Sequence, residues 1–153
     1  GSVAFGTGVL IRKTANNTAV NNSTTLVNDT HLLAALAANE TAYFIAHVHY
    51  ISDTVADFKY GFTVPTGATL RWGTAGGLEK DLNGNIGASD PMSTSGGTRG
   101  ATGATSPGST STLIGVVVNG TTAGDLQFQF AQNTATVVDT YTLANSFMTV
   151  FRQ

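Results

Sequence analysis

Cysteine is absent from this chain, which removes disulfide staples, thiolate metal sites and cysteine nucleophiles together and leaves stability to packing and assembly. Charge is scarce as well. Asp, Glu, Lys and Arg make up 10% of the residues, against about 25% in an average globular domain, so Thr, Asn, Ser and Gly must supply most of the solvated surface. Seven Lys/Arg against nine Asp/Glu give a net charge of −2 with no cluster of either sign, which argues against a nucleic-acid partner. No apolar run approaches the ~18 residues of a membrane span, and no charged start followed by an apolar core marks a signal peptide. Membrane insertion is therefore not expected. The chain opens "GSVAFGTG" without a methionine, the form taken by a Gly1-Ser2 expression scar ahead of an excised fragment that begins at Val3.

What is present is alternation with period two. In "DLQFQFAQN", Leu126, Phe128 and Phe130 face one way and Gln127 and Gln129 the other, the pattern of a half-buried strand. "DFKYGFTV" repeats it, with Phe58, Tyr60, Phe62 and Val64 inward and Lys59, Gly61 and Thr63 outward. "GVLIRKTA", "TLIGVVVNG" and "SFMTVFRQ" are β-branched or aromatic runs bounded by turn residues. Seven or eight short strands are expected. "NDTHLLAALAANE" is the one helical candidate, with Asp29 or Thr30 as its cap. The same residues read as a strand, "HLLAAL", that turns at "AANE", and strands on both sides favour that reading.

Two stretches read as loops: the Asn/Thr cluster 14–25 and a Gly/Ser/Thr-rich excursion over 76–112. A chain of 153 residues is the size of one domain that buries roughly two-thirds of its unfolded surface. Short strands with little helix predict a single all-β domain over 1–153, a β-sandwich or jelly roll with the long loop at 76–112. Few strands carry edge-blocking charges, so oligomerisation is expected to cover the edges.

Chemistry concentrates in "TAYFIAHVHYISD". On a strand, His47 and His49 project from one face about 7 Å apart, close enough to share a metal, with Asp53 as a third ligand if the strand continues. His-x-His-x3-Asp followed by "PTGATL" at Pro65 brings the two cupin motifs to mind, but the second motif has Leu70 where its histidine belongs. A second reading places three copies of the pair around a threefold axis, an octahedral set of six imidazoles like that of bacteriophage fibre and spike tips. In a third, Phe44, Ala46, Val48 and Tyr50 form the core face, while Tyr43, Ile45, His47 and His49 lie on the other without a ligand. "DLNGNIG" at 81–87 begins like a calcium loop, yet Ile86 stands at its glycine position and Met92 at its closing glutamate. An Asn-Gly turn fits it better. Trp72 is the only tryptophan, read either as a core or interface anchor or as a platform for a sugar, with Arg71 beside it. Asn22, Asn28, Asn39 and Asn119 head N-x-S/T sequons, most of them chance matches in a chain so rich in Asn and Thr. No catalytic device, catalytic residue or cofactor motif is evident, and metal ligation is not part of the leading reading.

In linear order, "IRKTANNTAVNNSTTLVNDTHLLAALAANETAYF", "DFKYGFTVPTGATLRWG" and "LQFQFAQNTATVVDTYTLANSFMTVFR" resemble a domain of tailed-bacteriophage structural proteins. The resemblance covers most of the chain outside 76–112 and carries no catalytic motif. It implies a non-enzymatic virion surface protein, commonly homotrimeric: a tail-fibre or receptor-binding domain contacting a host surface polysaccharide, or a capsid decoration protein bound to other virion proteins. A cupin-like metal-dependent β-barrel enzyme is the competing class.

Overall fold

The computed structural model describes residues 8–75 and 92–153. Those residues form eleven strands and no helix: β1 (Val9–Arg12), β2 (Val20–Asn21), β3 (Val27–Leu36), β4 (Thr41–Ser52), β5 (Phe58–Thr63), β6 (Thr69–Thr74), β7 (Thr98–Ala101), β8 (Ala104–Val118), β9 (Gly124–Gln132), β10 (Asp139–Thr142) and β11 (Phe147–Arg152). The architecture is all-β, and every pairing is antiparallel.

Strand β4 organises the larger, seven-stranded sheet. One edge of β4 bonds β8, with Thr41 opposite Val118 and Tyr50 opposite Ser109. The other edge bonds β11 from Ala42 to His47 and then β10 at Tyr50 and Ile51. Beyond these lie β1 outside β11, β6 outside β8, and the two-residue β2 on β10. The smaller sheet runs β3-β9-β5-β7.

Period-two alternation sets which faces meet. Along β4, Ala42, Phe44, Ala46, Val48, Tyr50 and Ser52 are buried and the intervening residues half-buried. From the small sheet, Leu32, Ala34 and Leu36 of β3, Phe58, Tyr60 and Phe62 of β5, and Leu126, Phe128 and Phe130 of β9 join the same apolar cluster. Aromatic rings stitch the layers together. Phe44 of the large sheet meets Phe62 of the small one at 4.9 Å between centroids, Tyr50 stacks on Phe58 at 4.0 Å, and Phe62 meets Trp72 edge-on at 5.2 Å. Each such pair adds about 0.5–1.5 kcal/mol beyond its buried area.

The strand reading of "HLLAAL" holds, and the cap-like chemistry that suggested a helix is also real. Asp29 Oδ1 accepts the backbone N–H of His31 at 2.8 Å and of Leu32 at 2.9 Å, as a helix cap would. The chain instead bulges between Asn28 and Leu33 and continues as β3, because burial of Leu32, Ala34 and Leu36 has period two. "AANE" forms the turn, with Asn39 at φ 61°.

The 76–112 excursion needs correction over its second half. Residues 76–91, including "DLNGNIG", lie outside the described residues, but β7 and the first nine residues of β8 fall within the stretch read as loop. Composition misled here. The twelve residues of β4 need an equally long partner to satisfy their backbone, and β-branched Thr110 and Thr112 suit a strand as well as a turn. The register slips once, between Tyr50 and Ser52, where Gly108 adopts φ +100° against the Tyr50 carbonyl. The strand total rises above the expected seven or eight through the short elements β2, β7 and β10.

Gly115 lies opposite Phe44 on β8, and a Cβ there would meet the Phe44 ring at 2.5 Å and the Arg71 carbonyl at 2.8 Å. Gly115→Ala is therefore expected to overpack the aromatic seam and lower stability by about 1–3 kcal/mol, read as a fall in the denaturant midpoint at constant m-value.

Candidate functional site

His47 and His49 stand on the face of β4 that points away from the core, flanked by half-buried Tyr43, Ile45 and Ile51. Their rings meet edge-on with centroids 4.8 Å apart, and Phe147 of β11 lies 5.5 Å from His47. Cross-strand register fixes their neighbours: Thr112 opposite His47 and Thr110 opposite His49 on β8. His47 Nδ1 pairs with Thr112 Oγ1 at 2.7 Å. The backbone N–H of His49 donates to Ser146 Oγ at 2.9 Å, which anchors the strand beneath its ring.

The cupin comparison fails on geometry. Leu70 is buried in the core, whereas the two histidines face outward, so the two motif remnants occupy opposite faces of one sheet. Asp53 does not join them either. β4 ends at Ser52, and the Asp53 carboxylate accepts the backbone N–H of Val55 at 2.8 Å within the following turn. Among the described residues no group of three or more His, Cys, Asp or Glu side chains is placed to hold a metal. The pair brought together by one chain is His47 and His49 alone.

Apolar side chains surround this pair on the outer face. Tyr43 lies opposite Val116, and Ile45 opposite Ile114, on β8, while Tyr43 and Phe151 of β11 pack at 6.2 Å. Ile114, Val116 and Val118 are 36%, 38% and 49% exposed, and Leu10 at the β1 edge is 63% exposed. A sheet with one face on a core normally turns a polar face to water; here apolar side chains are interspersed with Thr41, Thr69, Arg71 and Thr149 in one half and give way to Thr110 and Thr112 beside the histidines in the other. The sequence reading identified the β4 half of this face and missed the β8 half, although the alternation in "TLIGVVVNG" carries the signal: Leu113 and Val117 are buried, and Ile114, Val116 and Val118 are not.

Trp72 is a core anchor, 1% exposed. Its backbone exchanges hydrogen bonds with Ser93 at 3.0 and 2.8 Å, and its indole N–H donates to the Thr94 carbonyl at 3.1 Å, so no face is left for a sugar. Arg71 is exposed on the outer face opposite Val116. Asn119 is buried and donates to the Ala37 and Thr122 carbonyls at 2.7 and 3.0 Å, a structural use that removes its sequon from the surface.

Burial, and secondarily the neighbouring His47, hold the His49 imidazole below its ordinary pKa. The folded state thus resists protonation more than the unfolded chain does, whose histidines titrate near about 6.5. The contribution to stability is intact above that value and is lost as pH falls below it toward the folded pKa. Thermal unfolding followed across pH is expected to show a midpoint that declines below about 6.5, and His49→Gln is expected to flatten that decline. An unchanged slope in the variant would place the titration elsewhere.

No protein-family model, curated protein or solved structure shows a significant match to this chain.

Proposed function

We propose that this chain is a non-enzymatic structural module of a bacteriophage virion surface, a homotrimeric tail-fibre or receptor-binding domain whose exposed loops contact a host-surface glycan. The virion assignment rests on the sequence resemblance. The observation that supports self-assembly is the outer face of the large sheet.

That face spans five strands, β1-β11-β4-β8-β6, and its apolar part carries Leu10, Tyr43, Ile45, Ile114, Val116 and Val118. Neighbouring exposed apolar side chains of this kind commonly mark a contact surface. Its partner is best supplied by the chain itself. The face is almost uncharged, with Arg71 and Arg12 at its margins, and a surface so poor in charge offers no steering to a charged partner. Neutral histidines and threonines in its other half can be buried with their hydrogen bonds made, which a lysine or glutamate there would prevent.

Light scattering is expected to give a mass three times the 15.7 kDa of the chain. The double variant Ile114→Lys, Val116→Lys, altered only at exposed positions, is expected to give a folded monomer. The trimer is expected to bind host cells or their isolated polysaccharide and to ignore capsids. Capsid binding without cell binding would reassign the module to decoration of the head, and a monomeric native chain would remove the assembly on which the reading stands.

A further inference from the structure

Where the loop after β1 meets β3, three side chains, Asp29, Asn17 and His31, converge on one buried amine. Lys13, just past β1, is fully buried, and its backbone is fixed on both sides: its N–H donates to the Ser146 carbonyl and its carbonyl accepts from Asn145, each at 2.8 Å. Its Nζ lies 3.2 and 3.1 Å from the two carboxylate oxygens of Asp29, which is itself 1% exposed. The same Nζ also contacts the side-chain carbonyl Oδ1 of Asn17 and lies 3.4 Å from His31 Nδ1. An ordinary buried ion pair needs Lys13 and Asp29 alone; Asn17 places an amide whose Cγ is one bond from the oxygen that the amine touches.

Each remaining requirement of amide exchange has a candidate group in place. The Asn17 Oδ1 accepts from the Thr30 hydroxyl at 3.0 Å and the Thr30 backbone N–H at 3.4 Å, donors positioned for negative charge developing on that oxygen. The Asn17 backbone is fixed by its N–H to the Thr142 carbonyl at 3.0 Å. The Asp29 carboxylate does not depend on the lysine for its hydrogen bonds. It accepts from the His31 and Leu32 N–H groups and, at 2.6 Å, from the Thr142 hydroxyl, so it remains satisfied if the lysine loses its charge. Burial lowers the Lys13 pKa, against the opposing pull of Asp29, which increases the neutral, nucleophilic fraction of the amine.

We propose that Lys13 and Asn17 form an intramolecular isopeptide bond, with Asp29 as the proton-transfer group. Asp29 takes a proton from the Lys13 ammonium, and the neutral Nζ attacks Cγ of Asn17. The C–Nδ2 bond then breaks, Asp29 passes its proton to the departing nitrogen, and the second amine proton follows it. The products are one amide and one ammonium ion, with Asp29 again a carboxylate and no oxidant or co-reactant consumed. Aminolysis of an amide is very slow between free molecules, but a held pair gains an effective molarity of about 10⁵–10⁸ M. The bond closes the loop after β1 into a covalent ring and fixes the entry of the edge strand.

The intact mass of the purified full chain decides the matter without any variant: it is expected to fall short of the sequence mass by one ammonia. Trypsin is expected to stop cleaving after Lys13, and tandem mass spectra are expected to place the link between Lys13 and Asn17. Lys13→Arg and Asn17→Ala are each expected to abolish the deficit. A full sequence mass with normal cleavage after Lys13 would overturn the proposal. So would a deficit that persists in Lys13→Arg, because asparagine cyclisation to a succinimide also releases ammonia but does not need the lysine.

Discussion

Strand β4 is hydrogen-bonded on both edges along nearly its whole length, to β8 on one side and to β11 and then β10 on the other. None of that backbone needs water, so the strand differs from one side to the other only through its side chains. Strict alternation then makes two surfaces. Phe44 and Tyr50 on the inner one reach across to Phe62 and Phe58, and that aromatic seam positions the small sheet. The outer surface inherits its register from the same ladder: because Phe44 must point in, Tyr43, Ile45, His47 and His49 must point out. A slip of one residue would exchange the two sets, so the histidine pair is held in place by the core beneath it.

The second constraint is the buried pair of Lys13 and Asp29, which joins the loop after β1 to β3 while Thr142 of β10 completes the carboxylate. An unpaired charge at either position would be costly in a dry interior, and each of the surrounding groups answers one part of that demand. The bulge between Asn28 and Leu33 turns two backbone N–H groups toward Asp29. Gln127 on β9 donates to the Asp29 carbonyl at 2.9 Å, tying the bulge to the middle of the small sheet. The two sheets are thus held by aromatic packing through the centre and by a polar knot at one end. In a chain with so few charges, placing one of seven cations at zero exposure is a strong local commitment.

Much of this was legible from residue order. The all-β class, the core face of β4 and the strand at "HLLAAL" follow from period-two burial, which is a local property. What was not legible was non-local. "GVLIRKTA" reads as a strand, and nothing in its spacing announces that Asp29 converges on Lys13. The one available signal was the "NDT" turn chemistry around Asp29, which suggested a helix cap and proved to serve a bulge. Composition misled at 98–112 because Ser and Thr are shared vocabulary of turns and solvated strands, and only the unpaired edge of β4 decides between them. The outer apolar patch was half visible for the same reason: Ile45 could be placed on a face from β4 alone, but its neighbour Ile114 required the β4–β8 register.

The two halves of the outer face differ in a way that bears on assembly. Around Tyr43, Ile114 and Val116 the face is largely apolar, with Arg71 opposite Val116 at its β6 margin, and covering the apolar side chains is favourable. Around His47 and His49 the face is polar, and covering it requires hydrogen-bond partners for the ring nitrogens. The Thr112 hydroxyl already supplies one such partner, 2.7 Å from His47 Nδ1. The two halves therefore place different demands on whatever covers the face: one asks for apolar contact, the other for hydrogen-bond partners to the imidazoles.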